Sequence, residues 1–246
     1  MKMELIASAR LPHDVLDHAG LFGADWHGNG AGAHNNSQPE LIFELLSRFP
    51  AGRCRLYLAG DIVDLAEDSW PRIFRHNELL FMEIAGYRGV QVEGNHDPDL
   101  SRYLYTVGGY GLDVCQTYKT RHLYMSHGNE FDPWCSGPGG VIGLAAARAW
   151  GGIEYIGLAD RMMWLRRWAS RRIPTASRRG EDNTLWKEKA AARSETVVVS
   201  GHTHDPELAE IGDGRYYLNP GSGVEPGELT FGLIEGRRIE LWKLTA

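Results

Sequence analysis

The chain has 246 residues, of which 43% are hydrophobic, and its formal net charge at pH 7 is −6. This length and composition suit one domain with a sizeable core and exclude a disordered chain. The excess of acidic residues argues against a general nucleic-acid binder, because affinity for the phosphate backbone comes from many Lys and Arg contacts. Any basic surface for a partner must therefore be local.

The three cysteines, Cys54, Cys115 and Cys135, are odd in number and far apart in the chain. They predict neither a disulfide framework nor a zinc finger. We therefore expect a reducing compartment, the cytoplasm. The first residues lack the apolar stretch of a signal peptide, and no run of about 18 apolar residues predicts a membrane-spanning helix. At most, we expect the protein to lie on a membrane surface.

Short β-prone runs, each followed by glycine or a polar residue, predict strands along the chain. Residues 1–20 carry no motif that we can interpret. Between the first strands, Ser37 and Glu40 form a capping box before one helix, and Ser69 with Pro71 opens another. The predicted strands are residues 21–24, 56–59, 90–93, 122–126, 197–200, 215–218, 229–235 and 238–244.

Five short motifs with metal-ligand side chains follow the ends of predicted strands. Because open α/β sheets bind ligands outside the carboxyl ends of their strands, we expect these side chains to lie together. Imidazole, carboxylate and amide oxygen suit borderline divalent cations. The motifs are GADWHGN with Asp25 and His27, AGDIVD with Asp61 and Asp64, EGNHD with Asn95, His96 and Asp97, MSHGNE with His127, and SGHTHD with His202 and His204.

This set of ligand types predicts a phosphoesterase that uses two metal ions. In-line attack on phosphorus needs one ion to lower the pKa of the attacking water and a second to neutralise the charge that grows on the phosphoryl oxygens. Each motif alone could be a polar turn, and a lone histidine is more often structural than a ligand. Five such motifs in order favour the metal centre over coincidence.

The order DxH, GDxxD, GNHD, HG and GHTH resembles the calcineurin-like metallophosphoesterase superfamily over residues 21–206. The resemblance implies an α/β fold in a single domain, residues 1–246. This fold is a four-layer αββα sandwich of two mixed β-sheets with flanking helices. It also implies two divalent metal ions as cofactors, with Mn²⁺ expected and Fe²⁺ or Zn²⁺ as alternatives.

The resemblance also carries roles over to individual residues. His96 would be a general acid or a phosphate contact, and Asp97 would orient it by a hydrogen bond. Asp64 stays open between a carboxylate that supports a ligand and a turn residue. The implied metal ligands are Asp25, His27 and His204 for one ion, Asn95, His127 and His202 for the other, and Asp61 as a bridge between the two ions.

A long crossover, residues 131–195, is more than a plain core of this family needs. It predicts a helical insert with helices at residues 141–150 and 153–172. Between residues 160 and 195 the chain is net +5, which leaves −11 for the rest. We expect this segment to attract an anionic substrate as a lid. The substrate-binding candidates are Arg161, Arg167 and Arg171.

A second interpretation of the insert is equally open. Apolar residues recur there at the spacing of a helix that packs on its own core, and the arginines would then be its solvated face. They are Leu158, Met162, Leu165 and Ala169.

HGNEFD, the long insert and the ending YYLNPGSGVEPG resemble the UDP-2,3-diacylglucosamine hydrolase branch, which cleaves a pyrophosphate bond in lipid A assembly. This likeness implies a phosphorylated small-molecule or lipid-linked substrate. It also implies peripheral contact with the inner membrane face through the insert. Those hydrolases commonly have Arg where this chain has His96, which is closer to the general phosphodiesterase pattern.

Three alternatives remain at this stage. The first is a phosphodiesterase or nuclease acting on nucleotides or nucleic acid, for which only the insert offers basic residues. The second is a protein phosphatase, although GDIVDLA lacks the Arg-Gly of that class. The third is a catalytically inactive scaffold, which predicts missing ligands or a lost catalytic histidine.

Overall fold

The structure is a computed structural model, which describes residues 1–28, 38–65, 68–104, 111–132, 135 and 183–246. The strands in these residues are β1 (Lys2–Arg10), β2 (Ala19–Gly23), β3 (Cys54–Ala59), β4 (Gly89–Val92), β5 (Leu112–Cys115), β6 (Thr117–Lys119), β7 (Leu123–Ser126), β8 (Val197–Val199), β9 (Glu207–Gly212), β10 (Arg215–Asn219), β11 (Glu228–Glu235) and β12 (Arg238–Thr245). The helices are α1 (Pro39–Arg48), α2 (Trp70–Ala85), α3 (Leu100–Leu104) and α4 (Thr184–Ala191), and a 3-10 turn spans Asn129–Phe131.

In the described part of the chain the strands form two mixed sheets. The larger sheet has seven strands in the order β1-β12-β11-β2-β3-β4-β5, and β2 to β5 are parallel. The smaller sheet has five strands in the order β6-β7-β8-β10-β9, and β7, β8 and β10 are parallel. Antiparallel strands lie on both sides of the parallel ones in the smaller sheet and on one side, beyond β2, in the larger sheet. The predicted pair of mixed sheets is therefore confirmed.

Strand β3 shows how the layers are stacked. Its side chains alternate between the two faces of the sheet. Leu56 and Leu58 pack with the buried residues of α1 and α2, whereas Tyr57 and Ala59 pack in the core between the two sheets. On the far face of the smaller sheet, Trp186 of α4 forms a further cluster with residues of β7, β8 and β10. The layers are thus helix, sheet, sheet and helix, as the sequence predicts.

Helix α2 begins where the sequence predicts, whereas α1 has Gln38 as its N-cap, one residue later than the predicted capping box of Ser37 and Glu40 requires. Helix α1 starts at Pro39, where the missing backbone N–H leaves no helical hydrogen bond unmade, and it buries one apolar face. Ser37, half of the predicted capping box, lies outside the described residues. Helix α2 starts after Ser69 and departs from helical geometry at Asn77. The Asn77 side chain donates to the carbonyl of Ile73 at 2.9 Å, so this irregular turn keeps a hydrogen bond.

Several elements differ from the sequence prediction or lie beyond the description. Strands β1, β5, β6 and β9 were not predicted. The predicted helices at residues 141–150 and 153–172 fall outside the described residues, and so do Arg161, Arg167 and Arg171. Within the described ranges, no helix combines the length and the apolar character needed to cross a membrane.

The end of the predicted insert packs as part of the core. Residues 183–195 contain α4, and the Trp186 side chain of this helix is 1% exposed. Its indole N–H donates to the carbonyl of Gly128 at 3.1 Å. The fourth layer is therefore fastened directly to the loop that carries His127.

We expect Trp186→Ala to destabilise the fold by about 3 to 5 kcal/mol, because it removes a buried indole and its hydrogen bond and leaves a cavity. Urea unfolding followed by circular dichroism measures this loss. Leu79→Ala is the control, since Leu79 is 71% exposed on α2 and its loss should change stability by less than about 0.5 kcal/mol. Equal, small effects for both variants would contradict the role given to α4.

Candidate metal centre

The predicted ligands follow five parallel strands whose carboxyl ends meet. Strands β2, β3 and β4 are neighbours in the larger sheet, and β7 and β8 are neighbours in the smaller one. Backbone hydrogen bonds join the loops, including Asp25 N–H to Gly60 O at 3.0 Å and His27 N–H to Asp61 O at 2.9 Å. The two sheets thus present their polar loops to one another at one edge of the sandwich.

Five of these loop residues have a left-handed backbone conformation, with positive φ, that residues other than glycine rarely adopt. Each such conformation costs about 1 to 3 kcal/mol, and it persists only where the surroundings enforce it. Residues of this kind concentrate at functional sites. The left-handed ligand candidates are Asp25 (φ 52°), His27 (φ 46°), Asp61 (φ 52°), His202 (φ 71°) and His204 (φ 60°).

Two glycines allow the loops to approach so closely. Gly60 has a φ of 89°, and a Cβ atom there would lie 2.5 Å from the ring of His127. At Gly94 a Cβ atom would overlap the carboxylate of Asp61. The glycines of the GD and GN motifs are therefore required by the packing of the ligand side chains themselves.

Asp25, His27 and His204 form one group of donor atoms, here called the first cluster. His27 Nε2 lies 3.3 Å from His204 Nε2, and Asp25 Oδ1 lies 3.5 Å from His204 Nε2 and 3.9 Å from His27 Nε2. Asp25 Oδ1 is buried and has no hydrogen-bond donor among the described residues. Its other oxygen accepts the backbone N–H of His202 at 2.9 Å.

Asn95, His127 and His202 form the second cluster. His127 Nε2 lies 3.1 Å from Asn95 Oδ1 and 3.3 Å from His202 Nδ1. The other ring nitrogen of His127, Nδ1, donates to the carbonyl of Ala59 at 2.8 Å. That bond fixes the ring and directs Nε2 to the cluster.

Asp61 lies between the two clusters. Its Oδ2 atom is 3.1 Å from His127 Nε2 and 3.9 Å from His27 Nε2. Its Oδ1 atom accepts the backbone N–H of His96 at 2.8 Å. Burial opposes ionisation of this carboxyl, but His127 and the neighbouring histidines outweigh burial and hold its pKa well below the usual value.

These donor atoms fit divalent cations. Ligands about 2.1 Å from one ion are separated from one another by about 3.0 to 4.2 Å, depending on the angle at the ion. The separations within each cluster and to Asp61 range from 3.1 to 3.9 Å. Burial lowers the pKa of His204 to about 3, so this imidazole is neutral and keeps a lone pair for an ion. The buried Asp25 Oδ1 would gain the positive partner that it lacks.

His96 stands beside the first cluster with Asp64, not Asp97, at its ring. His96 Nδ1 lies 3.0 Å from Asp64 Oδ1, and the ring meets that of His27 edge-on with centroids 4.8 Å apart. Burial favours the neutral form of Asp64, but hydrogen bonds from His27 and His96 outweigh it and lower its pKa. The open question on Asp64 is thereby answered: it supports a ligand and the catalytic candidate.

The expected role of Asp97 as the group that orients His96 is wrong. Its carboxylate accepts three backbone N–H groups, those of Gly94, Ile62 and Asp61, at 2.5, 2.8 and 3.3 Å. Burial, with a contribution from Asp61, raises its pKa to about 6. Asp97 therefore joins the GNHD turn to the GD loop and acts on the site only through the backbone.

Further residues that the sequence motifs do not predict lie at or beside the second cluster. Asp132 Oδ2 lies 3.2 Å from His202 Nε2, and Cys135 Sγ lies 3.7 Å from the same nitrogen. Asn219, of the NPGS loop, is buried and donates to Thr203 Oγ1 at 2.7 Å, so this loop supports the GHTH turn. In the sequence, the one indication of these contacts is Asp132 itself, the acid at the end of HGNEFD, since it follows His127 within the same motif.

No protein-family model and no curated protein matches the chain. Several solved structures match it. A metallophosphoesterase from Sphaerobacter thermophilus is 16% identical, with 91% of this chain and 86% of that chain covered and a TM-score of 0.42. Vps29 from Entamoeba histolytica, in complex with Zn²⁺, is 17% identical, with 92% of each chain covered and a TM-score of 0.40.

A conserved protein from Streptococcus pneumoniae, described as a predicted phosphoesterase, also matches. It is 18% identical, with 89% of this chain and 83% of that chain covered and a TM-score of 0.37. Identities and TM-scores at this level assign neither a family nor an activity to the chain.

We expect divalent metal to raise the melting temperature more at about pH 8.5 than at about pH 6. Without metal, burial raises the pKa of Asp25 to about 7, and Asp61 outweighs burial to raise that of His127 to about 10. Both groups hold protons more tightly in the folded chain than in the unfolded chain, so the stability of the metal-free protein falls as pH rises through these values. Metal replaces those protons and cancels the loss.

Thermal melts with Mn²⁺ and with chelator, across that pH range, measure the difference. A metal-induced rise in melting temperature that becomes smaller as pH rises would contradict the protonation of Asp25 and His127 in the metal-free protein. Mg²⁺ is a useful control, because a site rich in imidazole favours transition metals over it.

Proposed function

We propose that the chain is a phosphoesterase that works with two divalent metal ions and hydrolyses a phosphodiester or pyrophosphate bond. The observation that carries the proposal is the position of Asp61 Oδ2, within 3.1 Å of a nitrogen of the second cluster and 3.9 Å of a nitrogen of the first. A carboxylate oxygen between two groups of imidazoles is what a bridging ligand requires. One ion would bind at each cluster, with Asp61 shared.

When bound, the two ions would lower the pKa of a water molecule and neutralise charge on the phosphoryl oxygens. Mn²⁺ is the ion that we favour, with Fe²⁺ or Zn²⁺ as alternatives, because the ligands mix imidazole with oxygen. Asp25, His27 and His204 would hold the first ion. Asn95, with its neutral amide oxygen, would hold the second together with His127 and His202.

His96 is the candidate that would transfer a proton to the leaving group. Its Nδ1 atom is engaged by Asp64, which fixes the ring, and Nε2 would be the atom that transfers the proton. Its side chain is 29% exposed, whereas that of His127 is 0% exposed. His96 is thus as accessible as His204, whose side chain is 28% exposed, and the carboxylate at its ring distinguishes it as the proton donor, whereas the buried His127 would only bind metal.

The substrate remains a prediction. A UDP-diacylglucosamine-like molecule and peripheral membrane contact both depend on the insert, whose Arg161, Arg167 and Arg171 we retain as proposed contacts. The cytoplasmic location stays a prediction from the three cysteines. A nuclease would need the same basic segment as its groove. An inactive scaffold is disfavoured, because every predicted ligand lies at the site and His96 has a carboxylate partner.

The proposal predicts that Asp61→Asn abolishes metal-dependent hydrolysis and lowers the bound metal from two ions per chain to one or fewer, because the bridge contacts both sites. Assays with Mn²⁺ on a phosphomonoester, a phosphodiester, a UDP-sugar pyrophosphate and single-stranded DNA measure the activity. Elemental analysis measures the metal. Asp99→Asn is the control, since Asp99 is also left-handed but its side chain is 62% exposed.

Full activity of the wild-type protein after exhaustive chelation would overturn the proposal. So would one bound ion per chain with all four substrates inert. The preferred substrate in the panel decides between the pyrophosphatase and nuclease alternatives.

We expect His96→Gln to lower kcat by about 10²- to 10⁴-fold while both ions stay bound, as for loss of a positioned general acid. The loss should shrink for p-nitrophenyl esters, because that leaving group needs little protonation. Steady-state kinetics on matched good and poor leaving groups test this, with His76→Gln on the exposed face of α2 as control. Equal losses on both substrates would show that His96 only positions the phosphoryl group.

A further inference from the structure

Three donor atoms beside the second cluster lie at metal-ligand spacing. Asp132 Oδ2 is 3.2 Å from His202 Nε2, and Cys135 Sγ is 3.7 Å from that nitrogen and 3.8 Å from Asp132 Oδ2. A tetrahedral zinc ion about 2.0 to 2.1 Å from N and O and about 2.3 Å from S separates N from O by about 3.4 Å and S from either by about 3.5 Å. The observed distances agree with these to within about 0.3 Å.

A short turn builds this arrangement. The backbone N–H of Asp132 donates to Asn129 O at 3.2 Å, and that of Cys135 donates to Asp132 O at 3.0 Å. The two side chains are three residues apart on this turn, and both reach His202. Asp132 is 5% exposed, and the His202 side chain is 8% exposed. Asp132 and His202 are therefore largely shielded from water, which strengthens their attraction to a cation, and Cys135 is partly exposed.

We propose that Asp132, Cys135 and His202 form a separate site for a thiophilic divalent cation such as Zn²⁺. On binding, the thiol releases its proton to solvent, so thiolate and carboxylate together balance the charge of the ion. Thiolate favours Zn²⁺ over Mn²⁺, which the two clusters of mixed imidazole and oxygen ligands accept. The two kinds of site therefore select different metals.

This site competes with the second cluster for His202. A neutral imidazole has one lone pair. When Nε2–H of His202 donates to Asp132, Nδ1 is free for an ion at the second cluster. When Nε2 binds Zn²⁺, the proton moves to Nδ1, which no longer binds there. Zn²⁺ is then an inhibitor of the Mn²⁺ enzyme, a consequence that rests on the proposed function.

Cobalt provides a direct test of the thiolate ligand. We expect Co²⁺ added to the full-length protein to produce a thiolate-to-cobalt charge-transfer band in the near ultraviolet. Cys135→Ser should abolish the band, and the matched control Cys115→Ser should keep it, since Cys115 lies at the end of β5. The absence of a band in the wild-type protein, or its persistence in Cys135→Ser, would overturn the site.

Asp132→Asn provides a second variant in case Cys135→Ser does not fold. It should weaken the Co²⁺ affinity read from the band by at least about 10- to 100-fold, since the loss of a group that merely orients a ligand already has an effect of that size. An unchanged affinity would overturn the role of Asp132. Circular dichroism of each variant establishes that the comparison is between folded proteins.

The competition has its own readout. Zn²⁺ titrated into the Mn²⁺-loaded wild-type protein should release about one Mn²⁺ per chain and inhibit hydrolysis, and Cys135→Ser should need at least about 10-fold more Zn²⁺ for the same release. A thiolate band without Mn²⁺ release would overturn the competition. Absence of Mn²⁺-dependent hydrolysis would instead overturn the proposed function and leave the band intact, so the two failures are distinguishable.

Discussion

The buried carboxylate of Asp61 is the group on which the rest of the site depends. A charge in this position is costly unless it is paired, and the surrounding imidazoles supply the pairing. Those imidazoles come from both sheets, so the carboxylate also holds the two halves of the sandwich in register at this edge. Metal ions at the clusters would strengthen the same contacts, which couples metal loading to the stability of the whole fold.

The sequence predicts the central strands and the ligands because both leave local patterns. Strands such as β8, with Val197 to Val199, are short apolar runs that end at once in polar loops. The strands that were missed lie at or beside the edges of the sheets. Strands β1 and β9 have few buried residues and pair with only one neighbour, so their apolar pattern is weak and their conformation depends on tertiary contacts.

Asp64 and Asp97 show where local reasoning fails within the site. Asp97 follows His96 in the chain, but its carboxylate is directed to backbone N–H groups of two loops. Asp64 reaches the His96 ring across 32 positions of sequence. Asp132 reaches His202 across 70 positions. Only the packing of the loops decides such partners, because adjacent residues in a tight turn face different directions.

Long-range contacts of the same kind hold the GHTH loop in place. Cys135 and Asn183, the described residues on either side of 136–182, both contact the GHTH loop. At one end, Cys135 Sγ lies 3.7 Å from His202. At the other end, Asn183 accepts a hydrogen bond from Thr203 and donates one to the carbonyl of Asp205. Both contacts therefore hold the loop that supplies His202 to the second cluster and His204 to the first.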